Sequence, residues 1–181
     1  KIMKVFETPL VDASIIIVDK YEDERGFFME SFNEQQFVKE LGDYDFVQDN
    51  HSKSSKGVLR GLHYQLEKPQ GKLMRCTQGA VHDVIVDLRK SSSSFGLWFN
   101  ATLDDPATMV WVPPGFAHGF YTLTDTAEVQ YKTTDYYHPK SQKTLLWNDP
   151  NLGITWPTMS PPLLSEKDAQ GKTFEECEEY D

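Results

Sequence analysis

Hydrophobic and polar positions alternate in short runs along most of this chain, and helical periodicities are few. Residues 1–8, 15–18 and 27–32 carry branched and aromatic clusters that predict strands, with a charged turn over 21–26 between the last two. Asn33 is placed to cap a helix over residues 34–41, which Gly42 ends. From Phe46 onward, strands are expected at 47–52, 58–65, 72–78, 80–88, 97–103, 108–112, 119–124 and 127–136. Lys68-Pro69-Gln70-Gly71, Gln78-Gly79, Asp104-Asp105-Pro106 and Pro113-Pro114-Gly115 mark turns between some of them. Many short strands at regular spacing indicate an all-β sandwich or barrel with a few short helices, not alternating β-α-β units. Beyond Trp147-Asn148-Asp149-Pro150 the chain reads as proline-rich loop, until Ser165 opens a short helix. The acidic run around Glu175-Glu176-Cys177-Glu178-Glu179 reads as a solvated tail.

With 181 residues and no composition shift, one domain spanning residues 1–181 is expected, large enough to bury a core without metal or disulfide support. Cys76 and Cys177 lie far apart in unlike contexts, which favours reduced thiols and a cytoplasmic location. The longest apolar run, Ile15-Ile16-Ile17-Val18, is too short for a membrane span, and the N-terminus has no signal-peptide pattern. A net charge of −10 argues against nucleic acid as a partner. A local basic cluster inside a cleft can still hold a small anion.

Candidate chemistry is concentrated between residues 47 and 75. Gln48, Asp49, Asn50, His51, Arg60, His63 and Lys72 fall close together among strand-forming residues. The five histidines are scattered without a His-x-His or Cys/His cluster, so no metal is expected. No Gly-x-Ser-x-Gly elbow and no glycine-rich phosphate loop is present, and no cofactor is expected. General acid–base chemistry remains: a histidine as base, a carboxylate to orient it, a lysine beside a developing enolate and a tyrosine to return the proton. In a regular strand Arg60 and His63 would face opposite ways, so both can line one site only if Gly61 marks a bulge.

These blocks closely resemble the dTDP-4-dehydrorhamnose 3,5-epimerase family. They include Asp23-Glu24-Arg25-Gly26-Phe27-Phe28, Gln48-Asp49-Asn50-His51-Ser52, Gly57-Val58-Leu59-Arg60-Gly61-Leu62-His63-Tyr64-Gln65 and Gln70-Gly71-Lys72-Leu73. Val86-Asp87-Leu88-Arg89, Pro114-Gly115-Phe116-Ala117-His118-Gly119-Phe120, Trp147-Asn148-Asp149 and Leu164-Ser165-Glu166-Lys167-Asp168 follow in order. The resemblance implies a metal-independent, cupin-like jelly roll acting on a dTDP-sugar as a homodimer, in which N-terminal strands of one subunit complete the other's sheet. It implies His63 as the base at C3 and C5, Asp168 as its partner, Lys72 at the C4 keto oxygen and Tyr131 as proton donor. Arg25, Glu30, Gln48, Asp49, Asn50, Arg60, His118 and Lys167 match substrate-binding positions, and Tyr137 falls where the family stacks a ring on thymine. Asp83 is the rival partner for His63, and Tyr136 and Tyr137 rival Tyr131. His118 could instead tie down the Pro113-Pro114-Gly115 turn. Two positions depart from the family: His82 replaces an aromatic residue, and Gln142 stands where many members have a substrate-contacting glutamate. The expected activity is inversion of C3 and C5 of dTDP-4-dehydro-6-deoxy-D-glucose. A single-centre epimerase, a 3,4-ketoisomerase and a non-catalytic nucleotide-sugar-binding module are the alternatives.

Overall fold

The structure is a computed structural model that describes residues 3–181; the part of the first expected strand at residues 1–2 lies outside them. Two antiparallel sheets carry the fold. The six-stranded sheet runs β1 (Met3–Glu7), β2 (Ser14–Val18), β10 (Thr108–Val112), β7 (Lys72–Gln78), β12 (Thr126–Thr133), β5 (Gln48–Ser55). The five-stranded sheet runs β13 (Gln142–Thr144), β6 (Leu59–Gln65), β11 (Phe116–Thr122), β8 (Val81–Asp87), β9 (Trp98–Leu103). A separate hairpin joins β3 (Lys20–Asp23) to β4 (Gly26–Met29). The arrangement is the two-sheet sandwich that the strand pattern predicts, in the jelly-roll form that the family resemblance implies.

Period-two alternation sorts the side chains into layers. Met74 and Cys76 of β7 and Ala127 and Val129 of β12 point between the sheets. There they meet Val81 and Ile85 of β8 and Phe116 and Phe120 of β11. The opposite face of the six-stranded sheet is covered by α1 (Glu34–Leu41), where Phe37 packs edge-on against Trp111 at 5.1 Å between ring centroids. Asn33 caps α1 by accepting the Gln36 N–H at 3.0 Å, as its position predicts. The outer face of the five-stranded sheet, with Leu62, Val84, Val86 and Ala117, is covered by the C-terminal third of the chain.

Three local expectations are corrected. The charged stretch after Val18 is not all turn: residues 20–23 pair with 26–29 as a hairpin, and only Glu24 and Arg25 form its bend. The strand expected over 27–32 therefore ends at Met29. The acidic tail is not free: most of its glutamates face solvent, but the segment is anchored to the fold. Cys177 is buried, the Tyr64 hydroxyl donates to the Glu178 carbonyl at 2.7 Å, and the Tyr180 hydroxyl donates to the Gln65 carbonyl. Charge composition missed this because the buried contacts use Cys177, Tyr180 and the backbone, while the glutamates face outward. The short strand β13 was also not anticipated; its three polar residues carry no strand pattern of their own and are held by pairing with β6.

Candidate active site

A cavity of about 280 Å³ opens between the sheets and abuts the apolar core at Met74 and Phe120. Asn50, Ser52, Lys72, Met74 and Tyr131 line it from the six-stranded sheet, and Arg60, His63, His118 and Phe120 from the five-stranded one. A groove of about 430 Å³, lined by Arg60, His63, Gln142, Lys167 and Asp168, adjoins it.

Arg60 and His63 share this cavity because β6 is irregular. His63 pairs with His118 of β11, whereas Arg60 pairs with Phe120, so β6 spends one more residue than its neighbour over this interval. Gly61 has φ of +129°, and a Cβ there would lie 2.6 Å from the Gly119 Cα. Only glycine fits both the dihedral and the approach. The inserted residue restores Arg60 and His63 to one face, which meets the expectation attached to Gly61.

His63 Nε2 lies 2.6 Å from Asp168 Oδ1, and the other carboxylate oxygen accepts the Gly61 N–H at 3.0 Å. Asp168 reaches this position from α2 (Glu166–Ala169), where its own N–H donates to the Ser165 hydroxyl at 3.1 Å. The carboxylate is thus turned away from the cap and toward β6. Burial alone would raise the Asp168 pKa. The hydrogen bond to His63, the His63 charge, the Gly61 N–H and Lys167 outweigh it and hold the carboxyl below the usual range.

Asp83 is bonded elsewhere: it sits 2.7 Å from His118 Nε2, with both side chains buried. Geometry therefore pairs Asp168, not Asp83, with His63, and gives His118 a carboxylate of its own. His118 is not a tie for the proline turn; its ring is directed into the cavity wall. Lys72 has no carboxylate in salt-bridge range among the described residues, and burial pulls its pKa down to about 8 despite the attraction of Asp83. Its ammonium lies 5.7 Å from the centre of the Tyr131 ring. Burial raises the Tyr131 phenol, while a hydrogen bond with Asn50 and the charge of Arg60 oppose the rise.

The run Gln48-Asp49-Asn50 does not act as a block. Strand alternation turns Asn50 into the cavity and Asp49 to the opposite face, where it meets Lys132 at 3.1 Å. Asp49 as a site residue of this chain's own cavity is therefore a correction. His51 likewise faces outward, bonded to Glu128 at 2.9 Å. Gln48 donates to Asn50 at 3.0 Å and accepts the Tyr137 N–H at 3.2 Å. Lys167 donates to Gln142 at 3.3 Å.

Arg25 and Glu30 are not brought to the cavity within one chain. Arg25 is at the bend of the β3–β4 hairpin, its side chain 86% exposed and paired with Asp23. Glu30 accepts from Asn33 Nδ2 at 3.1 Å beside a different cleft. Residues not singled out by sequence include Ser52, Met74 and Phe120, which line the cavity as ordinary inward strand positions. Gln142, a departure from the family pattern, stands between cavity and groove.

Among the described residues no group of three His, Cys, Asp or Glu side chains is arranged to hold a metal ion. Among them, no helix is long and apolar enough to cross a membrane. Cys76 and Cys177 are free and buried.

Comparison with known proteins gives a consistent result. The family model described as dTDP-4-dehydrorhamnose 3,5-epimerase matches residues 7–176. A protein of that name from Escherichia coli (strain K12) is 51% identical over 177 residues, covering 96% of each chain. One from Neisseria gonorrhoeae is also 51% identical over 97% of this chain, but the chain spans only 54% of that relative's length. Among solved structures, the dTDP-6-deoxy-D-glucose-3,5-epimerase of Legionella pneumophila Philadelphia 1, in complex with dTDP-4-keto-L-rhamnose, superposes with a TM-score of 0.94. It is 45% identical, covering 98% of this chain and 95% of its own.

Proposed function

The chain belongs to the dTDP-4-dehydrorhamnose 3,5-epimerase family of isomerases, and on that premise we propose that it inverts C3 and C5 of dTDP-4-dehydro-6-deoxy-D-glucose to give dTDP-4-dehydro-L-rhamnose. The observation that carries this reading is the position of His63 and Tyr131 on facing sheets of one cavity. A sugar ring lodged between the sheets presents one face to each.

C3 and C5 both flank the C4 ketone, so each C–H is acidified by the same carbonyl. His63, oriented by Asp168, takes the proton from one face, and the electron pair moves onto the C4 oxygen as an enolate. Lys72, protonated below its pKa of about 8, stabilises that oxygen. Tyr131 then delivers a proton to the opposite face of the same carbon, and the configuration inverts. The proton on His63 and the one missing from Tyr131 are made good by exchange with solvent before the second centre reacts. The raised Tyr131 pKa keeps the phenol protonated, as a donor requires.

Arg60 and Lys167 supply positive charge along the cavity and groove against a net charge of −10 over the whole chain. This suits the diphosphate of a dTDP-sugar. Arg25 and Glu30 enter the scheme through a second copy. The β3–β4 hairpin presents Tyr21, Phe27 and Phe28 to solvent, Phe28 at 63% exposure. Docking this apolar tip on a partner would carry Arg25 and Glu30 toward the partner's cavity in a homodimer.

The test is proton NMR of dTDP-4-dehydro-6-deoxy-D-glucose incubated with the protein in D₂O. Deuterium entering at both C3 and C5, and lost in His63→Ala, supports double epimerisation with His63 as base. Exchange at a single carbon points to a mono-epimerase. Tight binding without exchange overturns the enzymatic reading for this substrate.

A further inference from the structure

Gln65 is 3% exposed, lies on β6 two residues beyond His63, and does not line the cavity. Its amide is committed to the backbone of neighbouring loops. Nε2 donates to the Lys68 carbonyl at 2.9 Å and to the Tyr136 carbonyl at 3.1 Å, and Oε1 accepts the His138 N–H at 2.8 Å. From the other sheet, Gln48 Oε1 accepts the Tyr137 N–H at 3.2 Å. Consecutive backbone groups at Tyr136, Tyr137 and His138 are thus bonded to two glutamine side chains, one from each sheet.

The Tyr137 ring itself has no such support. It is 54% exposed and belongs to none of the apolar clusters, in a stretch without regular secondary structure. An exposed ring on an irregular loop samples many orientations unless its backbone is held. We infer that Gln65, with Gln48, clamps the Tyr136–His138 backbone and so positions Tyr137, whose backbone Gln48 ties to the cavity-lining Asn50, to receive the nucleobase of the substrate. The inference rests on the reading of Tyr137 as the ring that stacks on the base.

The residue type is what this task demands. A primary amide has two donor hydrogens and an acceptor oxygen on one planar group, and Gln65 uses all of them. Glutamate at 65 would set acceptors against the Lys68 and Tyr136 carbonyls. Methionine would fill the space and leave the loop groups unbonded. Gln65 is therefore a positioning residue that acts through Tyr137 and has no role in proton transfer.

The experiment compares Gln65→Met, Tyr137→Ala and the double variant, with thermal midpoints recorded to exclude global unfolding. Binding is measured with dTDP, which has the base, and with inorganic pyrophosphate, which lacks it. Stacking of a base on an aromatic ring is worth about 1–3 kcal/mol, so Tyr137→Ala should weaken dTDP binding by at least about fivefold. The clamp predicts that Gln65→Met weakens dTDP binding by about threefold or more, up to the loss seen in Tyr137→Ala, and leaves pyrophosphate binding unchanged. It predicts a raised KM with kcat within about twofold, and no further loss in the double variant. Unchanged dTDP affinity in Gln65→Met, beside a loss in Tyr137→Ala, overturns the clamp and leaves the stacking reading intact. Unchanged affinity in Tyr137→Ala overturns the stacking reading and the clamp with it. Additive losses in the double variant overturn action through Tyr137. Should Gln65→Met not fold, Gln65→Glu, which keeps an acceptor for the His138 N–H and loses both donors, takes its place, and its dTDP affinity decides in the same way.

Discussion

His63 and His118 stand directly opposite each other on adjacent antiparallel strands, and each ring has its own aspartate through Nε2: Asp168 at 2.6 Å and Asp83 at 2.7 Å. The two pairs differ in access. His63 is partly exposed to the cavity and groove, whereas His118 and Asp83 are both buried. A base must reach substrate and exchange protons with solvent, which fits His63; a buried pair is suited to holding a fixed hydrogen-bonding surface.

Asp168→Asn keeps an acceptor for the Gly61 N–H but removes the charge that orients His63. Epimerisation should fall by about 10²-fold or more, with little change in dTDP affinity. Initial rates followed by NMR, alongside dTDP titration, check this. A comparable loss of dTDP binding would mean that Asp168 holds the site's shape, not the base.

Lys72 gives a pH dependence whose sign follows from its charge. In the proposed mechanism the ammonium form stabilises the enolate, and burial places its pKa at about 8. Below that pH the group is protonated and active; as pH rises through it, the stabilising charge is lost and kcat should decline. Lys72→Met should lower kcat by about 10²–10³-fold and abolish this limb, while Lys72→Arg should move the limb upward. A pH–rate profile of the three proteins reads both effects.

Tyr131→Phe separates deprotonation from inversion. His63 would still remove the proton and exchange it, so deuterium should enter from D₂O. Return from the opposite face should drop by about 10²–10⁴-fold. NMR that resolves isotope content and configuration together distinguishes the two. Full inversion in Tyr131→Phe would transfer the donor role to another group.

Gly61→Ala addresses the bulge. The new methyl would meet the Gly119 Cα at 2.6 Å at a φ of +129°. Destabilisation by about 3 kcal/mol is expected from strain and overpacking together. Denaturant titration measures it, and activity should fall further than stability, because the same bulge aligns Arg60 with His63.

The strand-rich architecture, the capped helix at 34–41, the need for an irregularity at Gly61 and the family to which the chain belongs can all be read from the order of residues alone. These are legible because they depend on local periodicity, glycine and cap chemistry, and ordered motifs. The same order also supplies the candidates His63, Lys72, Tyr131 and Asp168. Their arrangement follows from how the two sheets and α2 pack. Asp168 and Asp83 are both plausible partners in a linear reading, and the choice rests on which carboxylate the fold brings to β6. Asp49 was grouped with Gln48 and Asn50 by motif, yet the pleat sends it to the other face. The acidic tail looked free because its charge pattern is polar, while its anchorage runs through Tyr180, Cys177 and backbone carbonyls. Gln65 is one letter of a sequence motif, and its contacts with residues 68, 136 and 138 show what it holds. Periodicity records which face a residue occupies relative to its neighbours in sequence, whereas partners across sheets are fixed by pairing and packing that no local pattern encodes.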